Sequence, residues 1–202
     1  MEKEFYVVGI GASAGGLAAL KEFFDHIPED TPAAFIVVTH LNRDRYSILT
    51  DILATHTGLS IARVDGDVQL LPGNIYVLTE NTALTIENGW LKVSARDAKL
   101  TNSSVDIFFK SLAKEFKERA IGIILSGGGS DGLQGALQLA ESGGKVMAQN
   151  LLTAEVTGMP ESIIDYDHPS HILNPTKLAE KVIQFCKENT DKKFPRDTPK
   201  IK

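Results

Sequence analysis

Residues 5–24 read FYVVGIGASAGGLAALKEFF, and this stretch decides the fold. Its first six residues are apolar without alternation, as in a strand buried on both faces of a parallel sheet. Glycines then crowd around Ser13, and residues 15–26 place Leu17, Leu20, Phe23 and Phe24 at helical spacing. A second apolar run, AFIVVT at residues 34–39, reads as another buried strand. Tyr46, Leu49, Ile52 and Leu53 mark a second helix that ends near Gly58. Strand–helix–strand–helix order predicts a three-layer α/β fold: a doubly wound, mostly parallel sheet covered on both faces.

The middle of the chain has a different rhythm. Residues 74–79, 83–86 and 90–93 read as short strands, and Asn88-Gly89 is a hairpin turn signal. An antiparallel hairpin excursion near residues 74–94 is expected, within one domain. The α/β pattern then returns. Ser103 can cap a helix whose first turn holds Asp106, with Ile107, Phe108, Leu112 and Phe116 on its apolar face. Residues 120–125 (AIGIIL) form a strand, a Gly127-Gly128-Gly129 loop follows, and a helix begins at Leu133. Residues 145–148 form a further strand. A last helix is expected from Pro175 to Cys186, with proline at its first turn. The domain is therefore expected over residues 1–186, and the charged residues 187–202 as a tail or linker.

Composition narrows the function classes. A net charge of −5 argues against a general nucleic-acid binder. Cys186 stands alone, so no disulfide and no thiolate metal cluster can form within the chain. No apolar run approaches a membrane span, and residues 1–4 do not resemble a leader peptide, so a cytoplasmic protein without membrane insertion is expected.

Three segments share one design: a buried strand, a loop with a polar residue, then a helix. They deliver Ser13, His40 and Asp131. In an open parallel sheet such loops gather along the carboxyl edge, where ligands bind. A serine hydroxyl needs a base to become a good nucleophile, histidine suits that task near neutral pH, and a carboxylate can hold the imidazole in the useful tautomer. The backbone N–H groups of Ala14 and Gly128 are candidates to stabilise an oxyanion. Each residue also has a plainer reading. Ser13 could cap a helix, His40 could be a bonded loop residue, and Asp131 could cap the helix beginning near Leu133. Gly9-x-Gly11-x-x-Ala14 also fits a dinucleotide fingerprint, so a non-catalytic or nucleotide-binding Rossmann-like module is the alternative. That fingerprint wants an acidic residue after the second strand, where this chain has Thr39-His40.

GIGASAGG around Ser13, VVTH ending in His40 and LSGGGSDG around Asp131 resemble the catalytic domain of CheB-type chemotaxis methylesterases. LPGNIYVL at residues 71–78, SVDIFFKSLA at 104–113, GGKVMAQN at 143–150 and TAEVTGMPESII at 153–164 extend the resemblance in the family's order. The resemblance implies a protein-glutamate methylesterase, with glutamine deamidation as a second activity, acting on methylated chemoreceptors without metal or organic cofactor. It assigns Ser13 as nucleophile, His40 as base and Asp131 as its partner. Gly128 stands where many relatives carry methionine, and Leu100-Thr101-Asn102-Ser103 departs from the usual stretch before Ser-Val-Asp. The wording of the motifs is closer to esterase domains fused to a methyltransferase. Only four residues precede the first strand, so the usual receiver domain is not expected and activity without phosphorylation is.

Overall fold

The structure is a computed structural model that describes residues 5–39, 47–79, 82–95 and 103–193, with side chains to residue 188. In chain order its elements are β1 (Tyr6–Ala12), α1 (Gly16–Phe24), β2 (Ala33–Thr39), α2 (Leu49–Leu53), β3 (Ser60–Val64), β4 (Val68–Gln69), β5 (Asn74–Leu78), β6 (Thr82–Glu87) and β7 (Trp90–Ala95). There follow α3 (Ser104–Phe116), β8 (Ala120–Ile124), α4 (Leu133–Glu141), β9 (Lys145–Gln149), α5 (Gly158–Tyr166), β10 (His171–Leu173) and α6 (Pro175–Lys193). A sheet of parallel neighbours runs in the order β10-β9-β8-β1-β2-β5-β3, and a small antiparallel sheet runs β4-β7-β6.

The central strand is apolar throughout because its alternate residues enter two different cores. Tyr6, Val8, Ile10 and Ala12 pack with Leu20, Phe23 and Phe24 of α1 and Leu178 and Val182 of α6. Val7 joins the other core, with Phe108, Phe109 and Leu112 of α3, Leu139 of α4 and Met159 of α5. Gly9 and Gly11 share this second face. A Cβ on Gly9 would lie 2.8 Å from the Phe108 ring, and one on Gly11 2.7 Å from Val105 Cγ1. Missing side chains on the strand are therefore what let α3 lie so close to it.

Four sequence expectations need adjustment. Residues 74–78 are β5, which joins the parallel sheet between β2 and β3, so the antiparallel excursion consists of β6 and β7 with the short β4. The second helix is seen as α2, a short element; residues 40–46 are outside the described set. The edge strands β3 and β10 are additional. The last helix continues past Cys186 to Lys193, and Gln184 bonds Glu188 one turn on at 2.8 Å.

Candidate active site

Ser13 leaves the carboxyl end of the central strand and turns at once into α1. Its carbonyl accepts the Gly16 N–H at 2.9 Å, and Gly15 at the helix entry has φ 74°, a left-handed conformation that favours glycine. Ser13 is also held from the side, because its N–H donates to the Ser126 carbonyl at 2.9 Å. The next residue, Gly127, comes up against the nucleophile candidate. A Cβ there would sit 3.0 Å from Ser13 Cβ and would collide with Met159 Sδ. The α1 N-terminus has no side-chain cap, so the positive end of a helix lies beside this turn.

Asp131 lies on the loop after β8, the strand paired with β1 on the side away from β2. Its carboxylate is buried and accepts two backbone bonds, from Val105 N–H at 3.0 Å and Asp106 N–H at 2.9 Å. Asp131 thus serves the N-terminus of α3, not that of α4. Ser103, expected to cap α3, makes no side-chain cap bond, and the Asp131 side-chain oxygens take the role the hydroxyl would have had. Asp106 returns the favour. Its Oδ1 accepts the N–H of Gly132 at 3.1 Å and of Gly135 at 2.8 Å, at the start of α4. Burial first, and then the charge of Asp131, push the Asp106 carboxyl above its ordinary range against the pull of these backbone bonds.

His40 lies outside the described residues. The residue before it, Thr39, is the register partner of Ala12, the residue before Ser13. The three candidate segments therefore leave adjacent strands, β8, β1 and β2, at the same sheet edge. Ala14 and Gly128 are both exposed, and among the described residues a Cβ on Gly128 would meet only Val156 Cγ1, at 3.8 Å. An open depression of about 270 Å³ adjoins the turn, lined by Gly15, Leu17, Ala18, Lys21 and Glu155.

Other candidates resolve into structural roles. His26 Nδ1 bonds the Glu22 carbonyl at 2.8 Å at the end of α1, and His56 Nδ1 lies 2.8 Å from Asp25 Oδ1. Cys186 is a core residue whose thiol is pushed up to about 12 by burial. Sequence reasoning assigned no role to Ser126 or Gln149, both buried beneath the Ser13 turn and bonded to each other at 2.8 Å. The available signal was a glutamine closing an otherwise buried strand, where a polar side chain needs a partner.

The CheB methylesterase family model matches residues 8–182. A protein-glutamate methylesterase/protein-glutamine glutaminase of Carboxydothermus hydrogenoformans is 32% identical over 183 residues, 87% of this chain and 54% of its own length. A Leptospira interrogans relative is 28% identical over 192 residues, 94% of this chain and 99% of its own. The crystal structure of the Thermotoga maritima CheB methylesterase catalytic domain superposes with a TM-score of 0.82 at 28% identity, covering 90% of this chain and 98% of that one. The chain thus spans about half the length of the Carboxydothermus relative and nearly all of the Thermotoga catalytic domain. On the match of its sequence and the likeness of its fold, the chain belongs to the CheB methylesterase family.

Proposed function

We propose that this chain hydrolyses methyl esters of glutamate side chains on a chemoreceptor-like protein, and deamidates glutamines at the same site, with Ser13 as nucleophile, His40 as base and Asp131 as its carboxylate partner. The observation that supports this most is the sheet edge itself: Ser13 and the loop of Asp131 leave paired strands, and the register partner of Ala12 is Thr39, the residue before His40. In the reaction, Ser13 Oγ attacks the ester carbonyl and His40 takes its proton. The N–H groups of Ala14 and Gly128 receive the oxyanion. Collapse of the intermediate expels methanol, which carries away the proton held by His40. Water then attacks the acyl-enzyme, with His40 again as base, and frees the glutamate carboxylate and Ser13. For a glutamine the leaving group is ammonia.

The substrate is a methylated receptor segment. The reaction is placed in the cytoplasm; no helix among the described residues is long and apolar enough to cross a membrane. The domain is proposed to end near Cys186, with the charged residues after it as a tail or linker. The test pairs labelling by a fluorophosphonate probe with methanol release from methylated chemoreceptor fragments. Both should be present in the native chain and absent in Ser13→Ala. Labelling without methanol release from any methylated receptor would keep the serine hydrolase and remove the receptor substrate. Full labelling of Ser13→Ala would remove the nucleophile.

A further inference from the structure

Beneath the Ser13 turn lies a small polar network that the proposed triad does not use. Ser126 is fully buried and Gln149 nearly so, at 2% exposure. Gln149, the last residue of β9, accepts the Ser126 N–H on Oε1 at 2.8 Å. Its Nε2 donates to the Thr153 carbonyl at 3.0 Å and lies 3.4 Å from Thr153 Oγ1. The Ser126 hydroxyl donates to the Ala14 carbonyl at 2.8 Å, with the Val156 carbonyl at 3.2 Å as its other acceptor, and it receives the Val156 N–H at 2.9 Å. The Gly127 N–H donates to the Val156 carbonyl at 3.0 Å. Two side chains thus tie together the loops that follow β1, β8 and β9.

These bonds bear on a specific peptide. The Ser126 carbonyl holds the Ser13 N–H and the Ser126 hydroxyl holds the Ala14 carbonyl, so one residue grips the backbone on both sides of the Ser13–Ala14 peptide. The carbonyl of that peptide is fixed by the Gly16 N–H. Peptide units are planar, so fixing the carbonyl sets the direction of the N–H opposite, which is that of Ala14. The approach needs glycine at Gly15, where a Cβ would stand 2.6 Å from Ser126 Oγ. Ser126 also immediately precedes the glycine loop that carries Gly128, the other candidate donor.

We infer that Ser126, held by Gln149, is a positioning residue for the hydrolysis: it fixes the Ala14 N–H and the Ser13 side chain relative to the Gly128 loop, so that nucleophile and oxyanion donors converge on one carbonyl. This rests on the reading of Ser13 as nucleophile. A pre-aligned donor adds to catalysis because it needs no reorganisation during reaction, and a small misplacement is costly in rate.

The test uses the full chain and its Ser126→Ala, Ser126→Thr, Gln149→Leu, doubly substituted Ser126→Ala/Gln149→Leu and Ser13→Ala variants. Melting temperature, fluorophosphonate labelling rate, and kcat and KM for methanol release from a methylated receptor fragment are read per folded protein. Ser126→Ala should lower kcat and labelling roughly 10- to 100-fold with KM within about twofold, since the interaction is made toward the transition state. The midpoint of the acidic limb of the pH–rate profile should not move, because the imidazole and its partner are untouched. Ser126→Thr, which keeps the hydroxyl, should recover most of the rate. The double variant should lose no more than the slower single one, as expected for groups acting as a unit. Native labelling and kcat in Ser126→Ala, with only a lowered melting temperature, would overturn the inference. So would a folded Ser126→Thr as slow as the alanine variant. A Ser13→Ala protein that still turned over would instead show that the nucleophile assignment had failed, taking this inference with it.

Discussion

At the scale of single residues, two aspartates hold each other's helices. Asp131 serves the first turn of α3, and Asp106, in that turn, serves the first turn of α4. One oxygen of Asp106 takes both bonds, so Asp106→Asn can keep them and Asp106→Ala cannot. The alanine variant should lose about 1–2 kcal/mol in urea unfolding, the usual loss for a helix cap, and should turn over more slowly because the Asp131 loop is released. The asparagine variant separates the charge from the bonds. The folded-state pKa of Asp106 is raised, so its stabilising contribution is full below the unfolded carboxylate value and is lost as pH rises through the folded one. Asp106→Asn should therefore be at least as stable as the native chain at pH 7, with that advantage fading toward pH 4. A native chain clearly more stable than the asparagine variant at pH 7 would contradict this. Asp167 offers a second titration, far from Ser13 in sequence, at the end of α5. Its Oδ2 is buried without a hydrogen-bond partner among the described residues, and burial pushes the carboxyl up to about 6 despite the pull of His168. By the same sign, the native chain should lose melting temperature relative to Asp167→Asn as pH rises from about 4 through 6. Parallel curves across that window would refute it. The residues proposed for the site could be picked out of the sequence because each follows an apolar run and precedes a helix. The Asp131–Asp106 exchange was not, since it joins positions far apart in sequence through backbone N–H groups that no side-chain pattern encodes.

At the scale of elements, what could be read depended on burial. Strands β1, β2 and β8 are buried along their whole length and appear as plain apolar runs. β3 is an edge strand in which only Val64 is buried, so SIARV carries no period to detect. β10 is too short to show one. β5 was recognisable as a strand, but its partners were not: β2 and β3 lie before it in sequence, and the adjoining hairpin suggested antiparallel company. The close seat of α3 on β1 makes a testable claim at this scale. Gly9→Ala would place a methyl 2.8 Å from Phe108 and 2.9 Å from Phe109, ring atoms that are themselves fully buried. Overpacking of this kind should lower stability by about 1–3 kcal/mol in urea unfolding. A neutral result would mean that α3 can shift outward without loss, and the glycine face of β1 would not be what sets its distance.

For the molecule as a whole, the sheet order brings the loops after β8 and β1 side by side, next to the end of β2 at Thr39, with the β9 loop tied in through Gln149 and Ser126. Among the described residues the resulting surface is open. The depression beside Ser13 holds about 270 Å³, below the usual range of pockets that enclose a small molecule, and it lies on α1 and Glu155 without a roof among its lining residues. Around the carboxyl edge, Leu17 in the first turn of α1 is 43% exposed and Leu152 on the β9 loop 94% exposed. Such a site can bury little of a free ester, so little binding energy is available to orient the reacting carbon. A glutamate methyl ester carried on a folded partner brings that energy from contacts outside the reacting group. The chain should accordingly hydrolyse a blocked single-residue glutamate γ-methyl ester with kcat/KM lower by at least about 100-fold than a methylated receptor fragment, and part of the deficit should fall on kcat. Both substrates share the same leaving group and the same scissile bond, so the comparison isolates remote binding from chemistry. Both should also lose rate on the acidic side with the same midpoint, on the order of pH 6–7 for an imidazole base. Equal kcat/KM for the two esters would show that recognition is confined to the side chain, and the open edge would then have no part in choosing the substrate.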